Sequence, residues 1–271
     1  VHDLSNQNKN FFKINLSMDN NKTIQKKISN LLFENSTIYL DNINEISLSF
    51  QAHLLNLLRN TFSKIENENI KNIKEIDKKK YHLILQPNEI DSWIKEAEQN
   101  GEVAFDTETN SLNPHEADLI GVSLSTKIGK ACYIPVGHNS KKSIKIDIVL
   151  KKLKPLLEDA SVKIIGQNIK FDFIVLFKYG IRISSMEDTM LMSYILDAGK
   201  NRHNMDTLSE IHLNHKTISY KDLVGSGKKE INFSEVDIEK AKDYAAEDAD
   251  ITFRLYKKFL KSLKEEKMTN I

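Results

Sequence analysis

The chain has 271 residues, 40% of them hydrophobic and 28% charged, enough for one full core with length left over for an appendage. Its 39 basic and 38 acidic residues leave a formal charge of +1, so no global field advertises a polyanionic partner, although local acid and base can cancel in such a sum. The single cysteine, Cys132, excludes an intramolecular disulfide, no apolar run is long enough to span a membrane, and the polar, Asn/Lys-rich start lacks the apolar stretch of a signal peptide; the expectation is a soluble protein of the reducing cytoplasm with no membrane partner.

Residues 1–80 are rich in Asn, Lys, Ile and Ser and carry no chemical motif. Apolar clusters at Ile28–Phe33 and Leu54–Leu58 predict short amphipathic helices, so this part is expected to be a mostly helical or irregular extension. The run Lys71–Lys80, "KNIKEIDKKK", is charged without apolar periodicity and reads as a solvated linker with a domain boundary near its end, or as a basic contact for DNA. "YHLIL" from Tyr81 is a short strand, and "PNEIDSWIKEAEQNG" is a helix, with Pro87 at its start, acid in its first turn and Gly101 as its stop. "EVAFDTET", "DLIGVSLST" and "KACYIPVGH" follow as closely spaced strands, a pattern that predicts an antiparallel meander with Cys132 buried in its last strand. Then come a helix in "SIKIDIVLKKLKPLLEDA", a buried strand in "VKIIGQ" and a helix in "IKFDFIVLFKYG" closed by Gly180. Helices are predicted at Asp188–Leu196, at Met205–Leu213, and from Ser234 as N-cap to Lys264. Strands alternating with helices make an α/β domain, a mixed sheet flanked by helices.

Asp106 and Glu108 stand two apart on a strand, so their side chains leave from one face. Two carboxylates side by side raise each other's pKa unless a cation neutralises them, which suggests a divalent-metal site; a polar strand end completed by Thr107 and Thr109 is the plainer alternative. In "DYAAEDAD", Tyr244 and Asp248 are one helical turn apart on a shared face, with Asp243, Glu247 and Asp250 around the same turns; an acidic solvated face is the alternative. In "GQNIKFD", a buried strand runs into Gly166 and a helix begins near Asn168, with Asp172 on its first turn. Asn168 could cap that helix and Asp172 could complement its dipole. Two further features suggest no chemistry. "GSGKK" at Gly225–Lys229 lacks the spacing of a phosphate-binding P-loop, leaving only its lysines as candidate DNA contacts, and His138, His203 and His215 have no ligand spacing with cysteine.

A D-x-E strand, an N-x-x-x-D strand-to-helix turn and a Y-x-x-x-D helix in this order carry a resemblance. From Tyr81 to about Lys261, through "DTETNSL", "GQNIKFD" and "YAAEDAD" and also "RHNMDTLSE" and "HKTISY", the chain resembles the 3′→5′ exonuclease domain of bacterial DNA polymerase I, a family A polymerase, in the DEDDy class. That resemblance implies a ribonuclease H-like fold over residues 81–265, followed by a tail at 266–271. It implies an enzyme that hydrolyses the 3′-terminal phosphodiester of DNA with two divalent ions, Mg²⁺ with Mn²⁺ as substitute, and releases 5′-mononucleotides in a proofreading role. Asp106, Glu108 and Asp248 would bind the first ion; Asp106 would bridge to the second, which Asp172 helps to hold, and Tyr244 would orient the attacking water. Thr107, Leu112, Gln167, Asn168, Phe171, Arg202 and Tyr220 match positions near the bound strand, Leu112 as a wedge against the terminal bases and Tyr220 as a stacking aromatic; many relatives have tyrosine where this chain has Phe171. The implied partners are a single-stranded or frayed 3′ end and a DNA polymerase, with the chain itself a monomer. Polymerisation is not expected of it, since family A polymerases continue well past this domain. The competing expectations are a ribonuclease D-like RNA exonuclease, whose motif strings match less well, and a catalytically silent DNA-binding or bracing domain of a polymerase.

Overall fold

The computed structural model describes residues 80–268 apart from 141, 228 and 229, together with residues 11–15 and 37–41 and the single positions 47, 51 and 76. The helices expected at Ile28–Phe33 and Leu54–Leu58, most of the Lys71–Lys80 run and the lysines of "GSGKK" lie outside the described residues. Two compact units divide the chain, residues 1–75 and 76–271. In the first, β1 (Phe11–Asn15) pairs in parallel with β2 (Thr37–Asp41). This pair is not anticipated from sequence, although "FFKIN" and "TIYLD" carry the aromatic and β-branched residues that suit strands, because parallel pairing between segments far apart in sequence leaves no local signal.

The second unit is built on a six-stranded sheet. Its strands are β3 (His82–Leu83), β4 (Glu102–Thr109), β5 (Leu119–Lys127), β6 (Lys130–Pro135), β7 (Lys163–Gly166) and β8 (Met186–Asp188), in the spatial order β3-β6-β5-β4-β7-β8. As expected, β4, β5 and β6 form an antiparallel meander; β3, β7 and β8 join in parallel, which makes the sheet mixed. The strand β8 had no counterpart in the sequence reading, being only three residues long.

Alternation along β4 decides what lies on each face. Val103 and Phe105 enter a core with α1 (Glu89–Asn100), α2 (Ile146–Leu157) and α3 (Lys170–Phe177), where they meet Trp93, Val149, Leu153 and Val175. Ala104 enters the opposite core with α4 (Thr189–Asp197), α5 (Met205–Leu213) and the long α7 (Ile238–Glu265), where it meets Met192, Leu208, Ile251 and Phe259. Each buried Val, Leu, Ile, Phe or Met among these contributes roughly 1.5–3 kcal/mol, so the cores on both faces of β4 are held firmly. Asp106 and Glu108 continue the Ala104 face and thus point toward α7. A short helix α6 (Tyr220–Val224), not anticipated from sequence, precedes that long helix.

The start of α7 differs from expectation. Asp237, not Ser234, is its N-cap, accepting from the amides of Glu239 at 3.1 Å and Lys240 at 3.3 Å. Phe233–Glu235 is a single 3₁₀ turn before it, closed by Asn232 and Glu235 as a capping box. Further along α7, Asp250 is fully buried and accepts from Tyr81 Oη at 2.9 Å, Gly129 N at 2.7 Å and Arg254 Nε at 3.0 Å. Glu247 is also fully buried, so this stretch of helix is not the solvated acidic face that sequence left open. No helix among the described residues is long and apolar enough to cross a membrane.

Candidate active site

The site is built where β4 stops pairing. After Glu108 the register against β5 shifts, with Glu108 opposite Gly121 and Thr109 opposite Leu119, and this irregularity ends the ladder just beyond the two carboxylates. Gly121 is required there: a Cβ on it would lie 2.0 Å from Tyr133 Oη, because the Tyr133 ring tips across it to reach His138 Nε2 at 2.8 Å. Past the shift the chain turns through Asn110, whose side chain accepts from the amide of Asp118 at 2.7 Å and whose carbonyl accepts from Asn232 Nδ2 at 3.2 Å. That braced loop displays Leu112, which is 93% exposed and so is no part of the core.

The second motif reaches the same place from β7. Gly166 leaves room for Ile169, whose Cβ would be 2.7 Å from a Cβ at position 166. Asn168 has a left-handed φ of 60° and does not cap α3 with its side chain, so the capping alternative fails. Instead Asp188 takes the free amides: those of Asn168 at 3.0 Å, Ile169 at 3.2 Å and Met190 at 2.9 Å, so one carboxylate organises the starts of α3 and α4 together. The sequence marks Asp188 only as a helix start; its link to Asn168 crosses between strands and has no local signature. On the first turn of α3, Asp172 accepts from Thr107 N at 2.9 Å and Thr107 Oγ1 at 2.6 Å. Thr107 therefore turns away from Asp106 and Glu108 and fixes the third acid.

The long helix α7 supplies the rest. Tyr244 donates a hydrogen bond to Asp248 one turn on. Carboxylate oxygens of Asp106, Glu108 and Asp248 lie within 4.8 Å of one another, a cluster able to hold a metal ion. Asp172 stands outside this cluster but close enough for its charge and that of Asp106 to act on each other. Tyr220, 41% exposed, stacks parallel to Phe233 at 6.4 Å and sits edge-on to Tyr244 at 6.1 Å. Arg202 is exposed. Gln167 is half-buried, its amide group committed to the His203 carbonyl and the Thr189 hydroxyl, and Phe171 packs at the edge of the first core. The three histidines are structural: His138 bonds Tyr133, His203 bonds Ser193 at 2.8 Å, and His215 bonds Glu247 at 3.0 Å.

Electrostatically the cluster is in tension. Burial, then the nearby Asp248, pushes the Asp106 carboxyl up to about 8. Glu108, Asp172 and Asp248 are also pushed well above the usual carboxylate range, in each case by burial first and by neighbouring acids next. Among the described residues none of the four is ion-paired to a lysine or arginine. Glu108 Oε1 is buried with no hydrogen-bond partner at all. A buried acceptor is costly to leave unsatisfied, and a divalent cation on this all-oxygen donor set would satisfy it and offset the mutual repulsion.

A mixed sheet in this order, covered by helices and opening on acids from β4, α3 and α7, defines a ribonuclease H-like nuclease fold. Among solved structures it is similar to Brucella melitensis NrnC, 26% identical with a TM-score of 0.53, covering 70% of this chain and 84% of that one. It is also similar in fold to Escherichia coli RNase D, an exoribonuclease involved in structured RNA processing, 13% identical with a TM-score of 0.53, covering 70% and 46%. A family model described as 3′–5′ exonuclease, that of family A DNA polymerases, matches residues 81–264. The chain belongs to this 3′–5′ exonuclease family, and the matched domain is of the DNA polymerase I type. DNA polymerase I of Rhizobium leguminosarum is 46% identical over 188 residues, 62% of this chain and 18% of the polymerase. That of Pseudomonas aeruginosa is 41% identical over 182 residues, 65% and 20%, and that of Borreliella burgdorferi 36% identical over 232 residues, 85% and 24%. The chain thus spans about a fifth of the length of these polymerases.

Proposed function

We propose that residues 81–265 form a divalent-metal-dependent exonuclease that hydrolyses the 3′-terminal phosphodiester of single-stranded or frayed DNA and releases 5′-mononucleotides, in the manner of a proofreading domain. The observation that carries this reading is the convergence of Asp106, Glu108 and Asp248 around a buried, unpartnered Glu108 oxygen. Hard oxygen donors favour Mg²⁺, with Mn²⁺ as substitute. Asp106, Glu108 and Asp248 would hold one ion, and Asp106 with Asp172 a second. Such a pair supplies an activated water and charge stabilisation for the attacking and leaving oxygens of an in-line displacement.

The remaining work falls to side chains. Thr107 holds Asp172 through two hydrogen bonds, which keeps that carboxylate at a fixed distance from Asp106. Tyr244 is kept protonated by burial and by the charge of Asp248, so its phenol orients the attacking water and does not take its proton. The exposed Leu112 would wedge against the terminal bases, Tyr220 would stack on one of them, and Arg202 would meet phosphate. Gln167, Asn168 and Phe171 would line the strand's path.

Identity of 36–46% to DNA polymerases I favours DNA over RNA as substrate, with a polymerase as partner. Rates on a single-stranded oligodeoxynucleotide and on the matching oligoribonucleotide, each with Mg²⁺ and with chelator, test this. Faster Mg²⁺-dependent release from DNA is expected. Preference for RNA would make the domain ribonuclease D-like, and no release from either would make it a silent, bracing domain.

A further inference from the structure

Glu247 precedes Asp248 on α7, is 0% exposed, and has no part in the chemistry above. Its two oxygens are both engaged with one short segment of chain: Oε1 lies 3.0 Å from His215 Nε2, and Oε2 accepts from the Ile218 amide at 2.6 Å. The same segment is held from α5, where Ser209 Oγ donates to the His215 carbonyl at 2.9 Å and Asp206 accepts from Thr217 Oγ1 at 2.7 Å. It follows Asn214, whose left-handed φ of 51° ends α5, and it belongs to no helix or strand. Apart from one backbone bond, from the His215 amide to the Ser209 carbonyl at 3.3 Å, side chains set its position. What it delivers is Tyr220, whose ring faces Phe233 and meets the edge of Tyr244, the phenol bonded to Asp248.

We propose that Glu247 is a positioning residue for the 3′-terminal nucleotide: by clamping His215 and the Ile218 amide it fixes the Tyr220 ring relative to Tyr244 and Asp248. The stacking surface for the base and the acid acting at its phosphate are then set by adjacent residues on one helical turn. Being fully buried, Glu247 does so without touching substrate. The inference rests on the exonuclease reading and on Tyr220 as the stacking ring.

The test compares wild type, Glu247→Gln, Glu247→Ala, Tyr220→Ala and the double variant Glu247→Ala/Tyr220→Ala. Each is measured for KM and kcat on a single-stranded oligodeoxynucleotide in Mg²⁺, and for Kd by fluorescence anisotropy of the labelled strand in Ca²⁺. Tyr220→Ala and Glu247→Ala should each raise KM and Kd about tenfold, the size of one lost base stack, with kcat little changed. Glu247→Gln, which keeps an acceptor for the Ile218 amide and offers a donor to the other His215 tautomer, should recover most of the loss. The double variant should be no worse than either single one. Additive losses, a fall in kcat with KM unchanged, or a Glu247→Gln as impaired as Glu247→Ala would overturn the proposal. If Glu247→Ala does not fold, His215→Ala removes one arm of the clamp and carries the same expectation. A wild type that binds the strand in Ca²⁺ but releases nothing in Mg²⁺ overturns the exonuclease reading alone, and the Kd pattern still judges Glu247; one that neither binds nor cleaves overturns both.

Discussion

On the proposed reading, protons and metal would compete for the same oxygens at Asp106, Glu108, Asp172 and Asp248, and the direction of their pKa shifts gives that competition a measurable form. All four are raised in the folded state, Asp106 to about 8 from an ordinary 3.8. A raised carboxyl pKa means that the folded, metal-free protein keeps protons the unfolded chain has already released. Its stability is therefore fullest below about pH 4 as far as these groups are concerned, and it falls as pH rises from there toward 8. Thermal unfolding in chelator should give a lower Tm at pH 8 than at pH 5, and Mn²⁺ should raise Tm more at pH 8, where it displaces fewer protons. Equal Tm values in chelator would contradict the buried-acid description. At Tyr244 the prediction concerns rate. Tyr244→Phe removes the hydroxyl proposed to orient the water but none of the proposed metal-binding oxygens, so kcat should fall by about tenfold to a hundredfold while the Mn²⁺ concentration for half-maximal activity stays put. A shift in that concentration would mean that the phenol serves the metal site instead.

At the scale of elements, α7 is both scaffold and site, and the scaffold half can be perturbed by itself. Asp250 is buried with Arg254 Nη2 at 3.0 Å as well as its bonds to Tyr81 and Gly129. Asp250→Ala would strand a buried guanidinium, at a cost of about 3–5 kcal/mol, or roughly 2–4 °C in Tm for each kcal/mol. The Asp248 oxygens proposed to bind metal, two residues earlier, would remain, so the variant should unfold earlier in thermal scans yet keep the kcat of the wild type below its Tm. What sequence made legible follows from where the signals lie. The strand β4 and the helix α7 carry their pattern within themselves, by alternation and by the four-residue spacing of Tyr244 and Asp248. By contrast, β8, α6 and the Phe233 turn are too short for periodicity and depend on partners elsewhere. Ser234 resembles a cap because acids follow it, but the residues that cap are Asn232 and Asp237.

For the molecule as a whole, the meeting of carboxylates from three separate segments is legible only through family resemblance, and the sheet order is not legible at all, because parallel crossovers such as β4 to β7 leave no local trace. The bonding roles of Asp188 and Glu247 are not legible for the same reason: each works through amides more than a dozen residues away. The first unit, with its β1–β2 pair, carries no motif from which sequence could have derived a function. Asp106 and its partners are proposed to run metal-dependent removal of 3′-terminal nucleotides. Mass analysis of the products from a primer with a mismatched 3′ end, with and without Mg²⁺, tests it most directly. Expected are nucleoside 5′-monophosphates that require Mg²⁺ and that Asp106→Ala releases about a hundredfold more slowly or worse; release without metal, or by Asp106→Ala as fast as by wild type, would contradict it.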